Sequence, residues 1–243
     1  IWEIYSATKD KAFIAEMYPK LQAYHDWWYR ARDNNRNGII EYGATKHVEH
    51  NDEYGNITFK VQYSNGIPAG LDLSSCTSEG DGWYACAGMP LYQQVLNVGG
   101  YSDMDIGAQH GAGWESGMDN AARFGFIEPG QLQRYADKTY GGDLAKARQD
   151  WNVAFFENHQ DNGDLIGFSI DQESVELNAF LAKEKRILAD MADLLGKPDD
   201  ASRYRDGATQ LAGYINSCMF DEASGFYYDR QIAQGDVADG NGC

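Results

Sequence analysis

The chain has 243 residues, enough for one sizeable core or an unusually large single domain. Its net charge of −17 would repel phosphate backbones and anionic lipid headgroups, which argues against nucleic-acid and membrane-surface partners. No apolar run approaches the roughly 20 residues of a membrane span. Aromatic residues make up 13%, which suits either a large helical core or flat ring faces that pack against sugars; composition does not separate the two.

In chain order, Ile1-Trp2-Glu3-Ile4-Tyr5 reads like the inside of a helix already under way. Together with the turn-rich end before Cys243, it raises the expectation that both termini are cuts. Thr8 to Arg32 has Phe13, Met17, Leu21, Tyr24 and Trp28 at helical spacing, with a kink or break expected at Pro19. Residues 33–43 form an Asn- and Gly-rich loop. Residues 56–63 alternate like a strand, and 64–112 read as mostly irregular. Residues 42–112 are therefore read as a loop-rich insertion within a single domain spanning 1–243. Helices are expected within 115–124, over 131–140 and over 144–158, with an extended stretch at 163–170. Gln172 to Leu195 is the clearest helix, stopped by Gly196 and Pro198. A further helix is expected over 199–219 and a strand over 226–232. The fold class is mainly α, with helices in pairs. A nucleotide-binding α/β fold is disfavoured, because neither βαβ alternation nor a Gly-rich phosphate loop is present.

The four cysteines are Cys76, Cys86, Cys218 and Cys243. The simplest local pairing is 76–86 and 218–243, which implies an oxidising compartment, periplasmic or secreted. Four reduced thiols are the other reading. No targeting region lies in the chain.

Asp33-Asn34-Asn35-Arg36-Asn37-Gly38-Ile39-Ile40-Glu41 places oxygen-bearing side chains at relative positions 1, 3, 5 and 9 around a glycine. That spacing wraps a loop around a hard cation, and calcium suits an all-oxygen, flexible set. The candidate ligands are Asp33, Asn35, Asn37, the Ile39 carbonyl and Glu41. The closing Glu of an EF-hand is missing, since Ala44 stands there, and Glu173 is the candidate to replace it. A plain Asn/Gly turn is the simpler alternative. For Asp171, Glu173 and Glu176, the simpler alternative is acids favoured by the dipole of a helix N-terminus.

In Trp114-Glu115-Ser116-Gly117-Met118-Asp119, the two carboxylates share a face if the segment is helical. Such a pair could serve general acid chemistry, because an apolar wall from Trp114 and Phe124 would raise a carboxyl pKa. Acids capping a helix terminus fit the same pattern. The histidines (His25, His47, His50, His110 and His159) lack the spacing of a zinc site or a catalytic triad and read as core or surface residues.

The stretch Trp114–Asp119 resembles the signature of glycoside hydrolase family 63, the family of processing α-glucosidase I. The loop 33–43, the segment Gln172-Glu173-Ser174-Val175, the turn Leu195–Pro198 and the run Tyr214–Asp221 resemble its bacterial branch. The resemblance implies the N-terminal part of an (α/α)6 toroid and an inverting mechanism on a short α-glucoside. It makes Asp119 the general acid, with Trp114 and Glu115 as substrate-binding residues, and it implies a structural calcium. The base would lie in the remainder of the catalytic domain, beyond this chain, so the isolated chain is expected to be inactive. Two alternatives stand beside this reading: a non-catalytic, calcium-stabilised carbohydrate-binding module, and a related toroid enzyme such as a trehalase or mannosyl-glycerate hydrolase.

Overall fold

A computed structural model of the protein describes residues 1–45, 57–119, 121–151 and 153–232. Its first elements are α1 (Trp2–Thr8), α2 (Lys11–Ala31), β1 (Glu41–Ala44), β2 (Thr58–Gln62), β3 (Thr77–Gly80), β4 (Trp83–Ala87), α3 (Met89–Val98) and β5 (Asp103–Ile106). Then come α4 (Gly107–Ser116), a 3-10 turn (Ala122–Phe124), α5 (Pro129–Tyr140), α6 (Leu144–Gln149), β6 (Phe155–His159) and β7 (Leu165–Glu173). The last are α7 (Val175–Leu194), α8 (Pro198–Cys218), β8 (Phe220–Asp221), β9 (Phe226–Tyr227) and β10 (Arg230–Gln231). The protein is mainly α, with short strands between the helices, as the expected toroid fragment requires.

The described residues divide between two compact units, Ile1–Tyr42 with Asp171–Cys243, and Gly43–Ile170. In the first, the stripes of α2, α7 and α8 meet. Ile14, Tyr18, Leu188, Met191, Ala192, Ala201 and Tyr204 form one core cluster. Each large side chain fully buried there contributes about 1.5–3 kcal/mol. The α2 helix continues through Pro19. Proline removes one ladder hydrogen bond, but Ile14 and Tyr18 before it and His25 and Trp28 after it are all buried, which offsets the loss. Asp10 caps the helix by accepting from Phe13 N–H at 3.0 Å.

In the second unit, β3-β4-β2-β5 form an antiparallel sheet, with Phe59 paired to Cys86 and Ile106. Residues 64–112 are thus more ordered than their glycine content suggests. Behind the sheet, Tyr92 of α3 packs between Phe59 and Phe155, with ring centroids at 5.4 and 6.2 Å, and its hydroxyl donates to the Val153 carbonyl. The disulfide Cys76–Cys86 is formed. Its expected counterpart, Cys218–Cys243, involves a residue outside the described ones, as do His47 and His50.

Three expectations are corrected. The helix expected over 144–158 stops at Gln149. Phe155 and Phe156, both buried, instead pair with Ile170 and Ser169 in a hairpin, because cross-strand burial outweighs a short helical pattern. The helix expected from Gln172 starts at Val175, so Asp171 and Glu173 belong to β7 and not to a helix N-terminus. Finally, α4 ends at Ser116, and Gly117 and Asp119 both have positive φ (72° and 46°). Glu115 and Asp119 therefore do not share a helix face.

Candidate functional site

Asp119 lies on the turn that leaves α4, and several bonds shape this turn. Ser116 Oγ donates to the Gly113 carbonyl at 2.7 Å and accepts from Met118 N–H at 3.0 Å. Asp119 N–H donates to the same Gly113 carbonyl at 3.2 Å. A Cβ on Gly113 would stand 2.2 Å from the Asp119 carbonyl oxygen, so only glycine lets the chain fold back this closely. The result is an exposed carboxylate on a tightly specified backbone. Trp114, on the last turn of α4, is 52% exposed and offers an open ring face.

Glu115 is placed differently. It is half-buried, and its Oε1 accepts from Gly43 N–H at 2.8 Å, bracing β1. Gly43 itself lies so near Phe168 that a Cβ would meet the Phe168 carbonyl oxygen at 1.8 Å. The strand is therefore fixed from both sides.

Sequence reasoning read His110, one turn before Trp114, only as a core or surface residue. Its Nδ1 is 3.4 Å from Asp105 Oδ1, and its ring lies 6.2 Å from Trp114 and 4.9 Å from Phe126. The signal available was its spacing, i and i+4 with Trp114, which puts both side chains on one helix face.

The Asp33 loop occupies the first unit. Asp33 Oδ1 and Oδ2 accept from Asn37 and Gly38 N–H, each at 3.0 Å. Asn35 Oδ1 accepts from Asn37 N–H, and Asn37 Oδ1 from Ile39 N–H. Glu173 does reach the loop, accepting from Asn37 Nδ2 at 2.7 Å and from the Tyr214 hydroxyl at 2.6 Å. Tyr214 in turn accepts from Arg230 at 2.6 Å. Burial first, and then the Glu173 bond, push the Tyr214 hydroxyl up to about 12. Asn178, which sequence reasoning missed, clamps the returning chain: its side chain accepts from Ile40 N–H at 2.9 Å and donates to the Ile40 carbonyl at 2.8 Å.

For a calcium ion the donor set fits in kind. Asp33, Glu41 and Glu173 are 8%, 0% and 0% exposed, and ionised carboxylates at such depth call for a compensating cation. Burial pushes the Asp33 carboxyl up to about 6, and the nearby Glu173 charge adds to the shift. Among the described residues no three acidic, His or Cys side chains form a metal-holding group. Any cage would draw on Asn35, Asn37 and the Ile39 carbonyl as well.

No helix among the described residues is long and apolar enough to cross a membrane. The second unit thus presents an exposed carboxylate on a constrained turn and, five residues earlier in the chain, a half-exposed indole, and the first unit holds an oxygen-rich loop. In general, a carboxyl group is able to donate a proton to a sugar-bound oxygen, and an indole face to pack against a pyranose ring. The family model described as the mannosylglycerate hydrolase MGH1-like glycoside hydrolase domain matches residues 1–243, the whole chain, and the protein accordingly belongs to that family of glycoside hydrolase domains.

Proposed function

We propose that the protein supplies the acid side of an inverting α-glycosidase site, with Asp119 as general acid. The observation that carries this reading is the turn at Asp119, where Gly113 admits a close backbone approach and leaves an exposed carboxylate five residues from the open Trp114 ring. In the reaction, the Asp119 carboxyl would protonate the glycosidic oxygen as its bond to the anomeric carbon breaks. A carboxylate on the other face, roughly 6.5–9.5 Å away, would take a proton from the attacking water. Trp114 would stack on a pyranose ring, and Glu115 would hold β1 in place and so position the substrate-facing turn.

The substrate class is a short α-linked glucoside, in keeping with the resemblance to family 63. Mannosylglycerate is the second reading, favoured by the family description. A structural calcium held by Asp33, Asn35, Asn37, the Ile39 carbonyl, Glu41 and Glu173 would neutralise negative charge buried in the first unit.

The test is Asp119→Asn in the full enzyme. General acid catalysis contributes about 10²–10⁴-fold, so kcat should fall by that factor while the circular dichroism spectrum and Tm stay unchanged. Near-normal turnover would remove Asp119 from the mechanism. Proton NMR of the first-formed anomer tests inversion, and a retained anomer would refute it. Relative kcat/KM on α-glucosides and on mannosylglycerate decides the sugar.

A further inference from the structure

Three Asn-Gly steps lie among the described residues: Asn37-Gly38, Asn65-Gly66 and Asn162-Gly163. By residue type they are alike, each a polar turn. Their backbones are alike too, with glycine φ of 83°, 90° and 89° in that order. A Cβ built on any of these glycines would meet nothing within 4 Å, so crowding does not separate them. Their hydrogen bonds do.

An Asn-Gly step carries a reaction of its own. The glycine nitrogen loses its proton and bonds to the asparagine Cγ, and the side-chain amide takes up that proton and leaves as ammonia. Water then opens the cyclic imide at either carbonyl, to aspartate or to isoaspartate. Nothing is oxidised or reduced, and water is the sole co-reactant. Bonds that hold the glycine N–H, and bonds that hold the side-chain amide away from it, oppose the attack. At Asn37 both kinds are strong. Gly38 N–H donates to the Asp33 carboxylate at 3.0 Å, while the Asn37 side chain donates to Glu173 at 2.7 Å and accepts from Ile39 N–H at 2.8 Å. At Asn162, Gly163 N–H donates to the Gln160 carbonyl at 2.9 Å, and the side chain donates to Asp164 at 2.8 Å and accepts from Asp164 N–H at 3.1 Å. Asn65 differs on both counts. Gly66 N–H makes a long bond, 3.3 Å, to the Tyr63 carbonyl, and none of the described residues bonds to the exposed Asn65 side chain.

We propose that Asn65 is a site of spontaneous covalent modification, where attack by Gly66 yields aspartate and isoaspartate, and that the fold protects Asn37 and Asn162 from the same reaction. The product adds negative charge to a chain that already carries −17. Isoaspartate also adds a methylene to the main chain at the turn that leaves β2. There Tyr63, 3% exposed, donates its N–H to the Gly82 carbonyl at 2.9 Å, and Ser64 N–H donates to Ser102 Oγ at 3.1 Å. The reaction does not depend on the glycosidase reading.

The test incubates the folded protein at mildly alkaline pH and follows each Asn-Gly peptide by mass spectrometry, with isoaspartate distinguished by electron-transfer fragmentation. Asn65 should convert first. The bonds at Asn37 and Asn162 must open before attack, so each should lag Asn65 by about 10-fold or more. In urea, where those bonds are gone, all of the steps should convert at similar rates. Asn65→Gln, whose longer side chain closes the imide ring poorly, should leave its peptide unconverted over the same time. Conversion at Asn37 or Asn162 as fast as at Asn65 in the folded protein overturns the proposal. So does an Asn65 that stays intact in the folded protein for as long as the unfolded chain takes to convert, or an equal conversion of that peptide in Asn65→Gln.

Discussion

Lys185 shows how far one side chain can be moved from its ordinary behaviour by its neighbours. Its Nζ is 3.1 Å from His25 Nε2 and 4.2 Å from the centroid of the Tyr29 ring, and Gly207 leaves room for its stem. Burial lowers its pKa to about 8, although the charges of Asp26 and Glu184 act the other way. In the unfolded chain the amine titrates near 10.5. The unfolded state therefore holds the proton more tightly, so stability rises between about pH 8 and 10.5 and is lost as pH falls through 8. Lys185→Met should lack that rise. Urea unfolding at pH 7 and pH 10.5 measures it, with a difference from the parent of no more than about 2 kcal/mol after solvent screening. An identical pH profile in the variant would mean that Lys185 is not the group responsible. His25 read from its sequence as a core or surface residue, and it is buried. Its lysine partner lies 160 positions away and could not be read.

At the scale of elements, the exit from α4 decides the candidate acid. Alanine is the better helix former by about 1 kcal/mol, so Gly113→Ala would favour the helix itself. Its Cβ would nevertheless collide with the Asp119 backbone. The expected outcome is a fall in kcat of about 10-fold or more with little change in Tm, measured by steady-state kinetics and thermal melting. The Asp33 loop makes the complementary case, in which the element holds charge and does no chemistry. If calcium binds there, a chelator should lower Tm, and calcium at about 100 times its Kd should restore about 2.7 kcal/mol. Glu173→Gln should blunt that restoration, and a melting curve indifferent to both chelator and calcium would refute the site. The loop's D-x-N-x-N-G spacing was readable from the sequence because the bonds that Asp33, Asn35 and Asn37 accept within it span five residues or fewer. The end of α4 was misread because Glu115 and Asp119 at i and i+4 fit a helix, and only the close approach at Gly113 excludes one.

For the molecule as a whole, the α7–α8 hairpin packed on α2 anchors the first unit. Leu188, 1% exposed in its core cluster, should cost about 2–5 kcal/mol when cut to alanine. Calorimetric melting measures this, and a loss below 1 kcal/mol would mean that the site collapses around the missing atoms. The helices α2, α7 and α8 were legible to within a few residues, because each buries one continuous stripe and carries a clear stop or cap. The segment 144–158 was not, since two adjacent phenylalanines suit either a helix or a strand until β7 is placed beside them.

The sequence by itself determined the mainly α class, the long helices, the oxygen-rich loop and the glycosidase resemblance. All of these depend on residue type and on spacings within a turn or two of chain. The tertiary structure alone decided where β7 ends, how Asp119 is presented and which groups meet. Glu173 reaches Asn37 across 136 positions, and Tyr92 reaches Val153 across 61. Contacts of that range are set by how whole elements bury their apolar faces, and no local pattern of residues encodes them.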